Sequence, residues 1–181
     1  MTGSADNQTT GTTTRSIASV LTLAQKAKQA ANVLAGTSGS ARNEALLAIA
    51  TEIEAHENEI LQENKRDLKH AAVLLAEGKI SQALLDRLKL DHSKLSSVVE
   101  GIRQLAKMPD PLGKIDLDRE LDKNLELQRI TCPIGLIGVI FEARPDALPQ
   151  IASLCLKSGD GVILKGGAEA ELEAVGEARA G

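Results

Sequence analysis

The sequence predicts an α/β fold in which N-terminal helices lead into an incomplete parallel, Rossmann-like sheet. Three observations carry that prediction. Pro133 to Gly167 reads as one strand–helix–strand unit, helical apolar spacing runs through the residues before Met108, and nothing after Gly167 completes a sheet. A parallel βαβ crossover takes roughly 30 residues, which this stretch matches. Two parallel strands with one crossover helix leave a sheet unfinished.

Composition narrows the function before any motif is read. The chain has 181 residues, 43% of them hydrophobic and 25% charged, which is ordinary for a soluble globular protein. Phe141 is the only aromatic among Phe, Tyr and Trp, so the core must be packed from Leu, Ile, Val and Ala. One aromatic offers no stacking platform for nucleic-acid bases, and a net charge of −4 offers no footprint for a phosphate backbone. Nucleic acid is therefore excluded as a partner. No apolar run approaches the roughly 20 residues of a membrane span. The polar start MTGSADNQTTGTTTRS lacks the apolar segment of a secretory signal. Cys132 and Cys155 make neither a disulfide framework nor a C-x-x-C pair, which suits reduced thiols in the cytoplasm.

In chain order, residues 1–16 read as a disordered leader, too polar to offset the entropy of ordering. Ile17 to Leu34 has apolar residues at helical spacing and ends at Gly36. After the loop 36–40 a second helix is predicted over Ala41 to Asn64, with Leu46, Ile49, Ala50, Ile53 and Ile60 as one stripe. The short link predicts that these two helices pack as an antiparallel pair. Asp67 to Ala76 reads as a further helical segment closed by Gly78. Ser81 is placed to cap a short helix through Leu88. Asp91 to Met108 is amphipathic and stops at Pro109-Asp110-Pro111, where neither proline can continue the hydrogen-bond ladder.

The helical region thus spans 17–108, and 109–132 reads as a connection with one strand. Gly113 to Asp122 is taken as a charged, exposed connection, and Leu125-Glu126-Leu127-Gln128 as a half-buried strand. Ile134 to Phe141 is an uncharged run of eight residues with two glycines, predicted to be a strand buried on both faces. Gly135 and Gly138 suggest close backbone approach there. Asp146 to Ser158 has helical spacing, Gly159 follows as a C-terminal stop, and Val162-Ile163-Leu164 is the second strand. The segment Ala168 to Gly181 has only Leu172 and Val175 as sizeable apolar side chains, too few to cover a sheet.

Ligands of open α/β sheets sit beyond the carboxyl ends of the strands. Glu142, Arg144 and Lys165 stand at those ends. Lys165 precedes two glycines and is placed to meet ribose hydroxyls or phosphate; the competing reading is a solvated lysine that closes a strand. Arg144 suits an oxyanion, while the alternatives are a pair with Glu142 or a cap on the next helix. Cys155, between Leu154 and Leu156, reads as core packing rather than as a nucleophile, and Cys132 before a proline is no better placed. His56, His70 and His92 show no metal-ligand spacing. The glutamates of residues 52–63 read as a solvated helix face. No G-x-G-x-x-G or Walker sequence is present.

The segment PIGLIGVIFEARPDALPQIASLCLKSGDGVILKGG closely resembles the start of the cofactor domain in the γ-glutamyl phosphate reductase family, also called glutamate-5-semialdehyde dehydrogenases. RNEALLAIATEIEAHENEILQENKRDL, LLDRLKL and VVEGIRQLAKMPDPLGKI are similar to that family's N-terminal helices, so the likeness runs from Ala24 to Gly167. The EARPD and SLCLKSG…VILKGG segments separate this family from the wider aldehyde dehydrogenase superfamily. The resemblance implies a parallel sheet of the aldehyde dehydrogenase type and NADPH as cofactor. It implies reduction of γ-glutamyl phosphate to glutamate 5-semialdehyde and phosphate, the second step of L-proline biosynthesis. In the family a cysteine thiolate displaces phosphate to give a thioester, which hydride then reduces. In superfamily members a lysine at the place of Lys165 contacts the adenosine ribose region, and the Glu142 to Pro145 segment lies near the nicotinamide. The implied cofactor-binding residues are Lys165, Gly166, Glu142, Ala143, Arg144 and Pro145.

Departures from the family shape the rest of the expectation. The family's chains are more than twice as long, with the nucleophilic cysteine well downstream of the Lys165-Gly166-Gly167 turn. No catalytic residue is therefore assigned to this chain. AEAELEAVGEARAG lacks the Ser-Asn pair that usually follows the turn. The expectation is a truncated form or fragment, with 133–181 a partial NADP-binding domain, inactive alone. The resemblance leaves room for a homo-oligomer in the full-length form. The alternative is a non-catalytic product that acts only by associating with other subunits through its unfinished sheet edge.

Overall fold

The structure is a computed structural model that describes residues 9–142 and 144–166, with side chains from residue 20 onward. Five helices precede two small sheets. They are α1 (Thr9–Ala35), α2 (Gly39–Ala55), α3 (Glu57–Ala76), α4 (Gln82–Leu88) and α5 (His92–Lys107). An antiparallel hairpin of β1 (Ile115–Asp122) and β2 (Leu125–Ile130) follows. The βαβ unit of β3 (Leu136–Ile140), α6 (Ala147–Lys157) and β4 (Gly161–Lys165) ends the described chain, with β3 and β4 parallel. No described helix is long and apolar enough to cross a membrane.

The core lies between α2 and α5. Leu46 and Ala50 pack on Val98, Val99, Ile102 and Ala106, and Leu156 of α6 reaches the same cluster. A smaller cluster joins α3 to α4 through Ala71 and Leu88. Aliphatic residues alone fill both clusters, as the single aromatic required. Three caps predicted or implied by side-chain chemistry start their helices. Ser38 accepts a hydrogen bond from Ala41 N, Ser81 from Leu84 N and Asp91 from Lys94 N.

Several expectations are corrected. Helix α1 begins at Thr9, inside the span 1–16 read as a leader; residues 1–8 lie outside the described residues. Once the Ala-rich stretch nucleates, each preceding threonine adds one ladder bond for one residue fixed. Helices α1 and α2 do not form an antiparallel pair. The partner of α2 is α5, while α1 lies against β4 and β3. Gly161 allows that contact, because a Cβ there would meet Ala31 Cβ at 2.6 Å. Of the two glycines expected to allow a close approach, Gly135 does, since at φ 119° a Cβ there would meet Lys28 Nζ of α1 at 3.2 Å, whereas one at Gly138 would meet nothing within 4 Å.

The helix expected over 41–64 is broken at His56, and the segment from Asp67 is a continuation of α3. The His56 backbone N–H donates to Glu52 O at 3.0 Å, and its ring Nδ1 lies 2.9 Å from the same oxygen. The ladder bond is kept, and the break lies in the backbone of His56 itself, which leaves helical geometry at φ −102°, ψ 14°. Residues 115–122, expected as a connection, form β1. Alternation decides this: Asp116, Asp118, Glu120 and Asp122 interleave with Ile115, Leu117 and Leu121, a two-residue period that charge density obscured. Asn124, at φ 64°, makes the turn to β2. Strand β2 is exposed throughout, where half-burial was expected, and β3 is half-buried to exposed, where burial on both faces was expected. No second layer covers either face of the hairpin among the described residues.

One polar cluster ties these parts together. Arg42, 3% exposed, donates from Nη2 to both carboxylate oxygens of Asp110 at 2.8 Å and from Nη1 to the Thr37 carbonyl. Asp110 also accepts from Leu112 N at 3.0 Å. Lys157, 5% exposed, donates to Asn43 Oδ1 at 2.7 Å, Met108 O at 2.6 Å and Ala106 O at 3.4 Å. Asn64 joins α3 to the α4–α5 link, donating to Leu88 O at 2.8 Å and accepting from Leu90 N at 3.0 Å.

The backbone N–H of Leu112 and then Arg42 hold the Asp110 carboxyl below its ordinary range. A lowered folded value means the stabilisation is present above the unfolded carboxylate range and is lost as pH falls through the folded one. Arg42→Ala should destabilise the chain by about 1–2 kcal/mol in urea titration, because it removes the donors of the Thr37 carbonyl and of the half-exposed Asp110 carboxylate. Asp110→Asn should lose less and should flatten the acid limb of a stability-against-pH curve below about pH 4. Wild-type stability in Arg42→Ala would show that the cluster does not hold the fold.

Candidate functional site

The candidate site forms where β3 and β4 leave the sheet. Asp160 sets their alignment at the other end. It is buried, its Oδ1 accepts from Gly135 N at 2.7 Å, and its Oδ2 accepts from Ser158 Oγ at 2.7 Å. Gly161 N then donates to Gly135 O at 2.8 Å. From that start, five pairs run in register from Leu136↔Gly161 to Ile140↔Lys165. Phe141 N adds one more bond to Lys165 O at 3.0 Å. Equal strand lengths therefore deliver residue 142 and Lys165 to one edge, the edge where α/β sheets bind ligands.

Each residue implied as cofactor-binding can be placed except Ala143, which lies outside the described residues. Lys165 is exposed, and its Nζ lies 3.4 Å from the Gly166 carbonyl. Gly166 is half-buried and follows directly. Glu142 and Arg144 are exposed beyond β3. Arg144 pairs not with Glu142 but with Asp146, Nη2 to Oδ2 at 3.2 Å. Its carbonyl accepts from Ala147 N at 2.9 Å and closes the turn into α6. Pro145 is half-buried and faces a cleft behind that turn.

The α6–β4 turn is equally constrained. Gly159 has φ 71°, and a Cβ there would meet Leu112 Cδ1 at 2.9 Å and Pro133 Cγ at 3.2 Å. Only glycine combines the left-handed conformation with that contact. Cys155 is buried one turn earlier, as expected of core packing. Burial, and then the nearby Asp160 carboxylate, push its thiol above the ordinary range. A thiol held protonated is a poor nucleophile. Cys132 is exposed. Among the described residues, no group of three or more His, Cys, Asp and Glu side chains could hold a metal ion.

The cleft behind residues 145–146 measures about 620 Å³ and lies between α2, α3, α5 and α6. Its walls are apolar, from Ile49, Ile53, Ile60, Leu95 and Leu148, with carboxylates from Glu59, Glu63 and Asp67 on α3. Burial first, and then repulsion from Glu63, raise the Asp67 carboxyl above its usual range. Glu52, Glu54, Glu59 and Glu63 are exposed, as a solvated face requires, and Glu59 and Glu63 stand at the open rim of the cleft. Glu59, Glu63 and Asp67 stand at i, i+4 and i+8, one side of a helix, and that spacing was available in the sequence.

Known proteins decide what this arrangement belongs to. The chain is 51% identical over 152 residues to a γ-glutamyl phosphate reductase of Brachyspira hyodysenteriae, covering 84% of this chain and 35% of the relative. It is 55% identical over 147 residues to that of Synechococcus elongatus, covering 81% and 33%. The chain belongs to the γ-glutamyl phosphate reductase family. It corresponds to the N-terminal third of these relatives and spans about a third of their length. No family model matches the chain.

Solved γ-glutamyl phosphate reductases share the fold. The Saccharomyces cerevisiae enzyme superposes with a TM-score of 0.76 at 38% identity, over 82% of this chain and 37% of that one. The Thermotoga maritima enzyme gives 0.75 at 30% identity, over 83% and 35%. The order of helices followed by small sheets is thus that of the reductase family.

The burial contrast between the two cysteines is directly measurable. An aromatic disulfide reagent should modify one thiol, Cys132, within the mixing phase at neutral pH, and Cys155 only in denaturant. Equal rates for both in the native chain would contradict the burial of Cys155.

Proposed function

We propose that this chain supplies the N-terminal helical region and part of the NADPH-binding βαβ domain of a cytoplasmic reductase. The regions are 17–108 for the helices, 109–132 for the link and 133–181 for the partial cofactor domain, within a sheet of the aldehyde dehydrogenase type. The enzyme reduces γ-glutamyl phosphate to glutamate 5-semialdehyde and phosphate in L-proline biosynthesis and works as a homo-oligomer. One observation carries the reading. The ladder ends with Phe141 beside Lys165, which leaves Glu142 and Gly166 at a single carboxyl edge, in a chain about half identical to reductases of that name.

The residues at that edge fit a nucleotide. Lys165 offers an exposed ammonium whose nearest acceptor is a neighbouring carbonyl at 3.4 Å, and Arg144 offers an exposed guanidinium. Both suit ribose hydroxyls and phosphate oxygens. Bound there, NADPH supplies the hydride that turns an activated acyl group into an aldehyde. The chain's part is to orient it: Lys165 at the sugar, and the Glu142–Pro145 turn toward the reacting end. Cys155 is buried with a protonated thiol and does not serve as the acyl acceptor.

A second reading, action through association alone, is favoured by the hairpin. Ile115, Leu117, Leu121, Leu125, Leu127 and Ile130 are all at least 40% exposed there. An apolar surface of this kind marks an interface. Light scattering should find the chain self-associated, and monomers when Leu117 and Leu127 become serine; a monomeric wild type would remove this reading.

Titration of the chain with NADPH, followed by nucleotide fluorescence, should give saturable binding that Lys165→Ala weakens about tenfold, as expected for loss of one charge-assisted bond. Turnover of γ-glutamyl phosphate by the chain alone should be absent. An unchanged affinity in Lys165→Ala would leave Lys165 a solvated strand end.

A further inference from the structure

Residues 57–90 are held together by contacts of their own. Helix α3 packs chiefly on α4. Their apolar cluster of Ala71 and Leu88, with Leu68, Ile80, Leu84 and Leu85 around it, shares no residue with the α2–α5 core. Asn64 closes the unit from within, donating to Leu88 O at 2.8 Å and accepting from Leu90 N at 3.0 Å. The ion pairs Arg66–Glu63, Lys79–Glu77 and Lys89–Asp86 are internal too. A contiguous segment that satisfies itself in this way behaves as one cooperative unit.

The two connections of this unit to the rest of the chain lie side by side. The chain enters at His56, where the backbone leaves helical geometry, and exits through Lys89 to Asp91, both extended. Glu57, the first residue of α3, meets His92, the first residue of α5, so entry and exit touch. Among the described residues, the other side-chain hydrogen bond from the unit to the rest is Lys94 Nζ to Lys89 O at 2.5 Å, again at the exit. Farther out, the cleft of about 620 Å³ opens between Ile60 and Asp67 on α3 and Ile53 and Leu148 on α2 and α6. Two adjacent connections at element ends, with space beyond them, are the geometry of a hinge.

We infer that residues 57–90 form an arm hinged at His56 and Asp91, that its swing sets the width of the cleft, and that the Glu57–His92 pair biases it toward the seated position. This motion is independent of the reductase reading. The bias follows pH. The hydrogen bond to Glu57, and then the charge of Glu57, raise His92 above its ordinary range; burial opposes them and Asp91 adds to the rise. The neighbouring cations are engaged elsewhere, Lys94 by Lys89 O and Lys89 by Asp86. A raised folded value means the pair is complete below the ordinary histidine range and is lost as pH rises through the folded one. An exposed pair shifts an equilibrium by roughly fivefold at most, so it tilts the arm and does not lock it.

Paired spin labels on the full chain read the arm directly. Cys132→Ser removes the exposed native thiol, and Cys155 is buried. Labels at Lys69→Cys on α3 and Gln150→Cys on α6, both exposed positions, then span the cleft. Labels at Glu44→Cys on α2 and Gln104→Cys on α5, also exposed, report the α2–α5 body. Pulsed dipolar distances for the arm pair should be dominated by one short value at about pH 5.5 and should gain a longer component at about pH 8.5. His92→Gln should raise that longer component roughly fivefold at the lower pH and remove its pH dependence. The body pair should stay narrow throughout.

One narrow arm distance at both pH values and in His92→Gln would overturn the inference, since 57–90 would then be a fixed part of the body. Broadening of the body pair together with the arm pair would overturn it as well, because that marks loosening of the whole chain. A longer component that grows with pH but ignores His92→Gln would remove the Glu57–His92 pair as the source of the bias.

Discussion

The buried Arg42, paired with the half-exposed Asp110, is the constraint on which the other elements depend. Arg42 begins in α2 but reaches the Thr37 carbonyl before it and Asp110 beyond α5, so one guanidinium closes a gap of 68 residues in sequence. Lys157 adds a third element by binding carbonyls at the end of α5 from the end of α6. Burying two cations costs solvation, which Lys157 offsets with three acceptors and Arg42 with those at Nη1 and Nη2, while its Nε is left without one. Pro109 and Pro111 leave the chain after α5 without a helix to continue, which frees its carbonyls for this use.

From that cluster the candidate site follows by short steps. Lys157 fixes the end of α6, Gly159 turns the chain against Leu112 and Pro133, and Asp160 sets the β3–β4 register. The register then brings Lys165 and residue 142 to the same edge. The cleft arises from the same placement, because α6 is held over α5 while the bend at His56 sends α3 along the other side.

Much of this was legible in the linear chain. Capping at Ser81, the stop at Pro109–Pro111 and the βαβ crossover were each readable, because local side-chain chemistry decides them. The hairpin was half legible: its charge was plain, but the alternation beneath it was hidden by acidic residues at every second position of β1. The break at His56 was not legible, since histidine looks like any other helix residue in sequence. Nor was the partner of α1. Helical spacing says that a helix has an apolar side, not what that side meets, and Ala31 against Gly161 depends on residues 130 apart.

By itself the sequence determined the α/β class, the strand–helix–strand unit, the family likeness and the buried, unreactive character of Cys155. All of these rest on interactions between near neighbours or on uninterrupted motifs. Tertiary structure alone decided that Arg42 and Lys157 are buried against the end of α5 and its following link, that α2 packs on α5 rather than α1, and that Asp160 sets the β3–β4 register. Those outcomes depend on where distant segments come to lie, and charge pairing and burial select among arrangements that the local pattern leaves equal in energy.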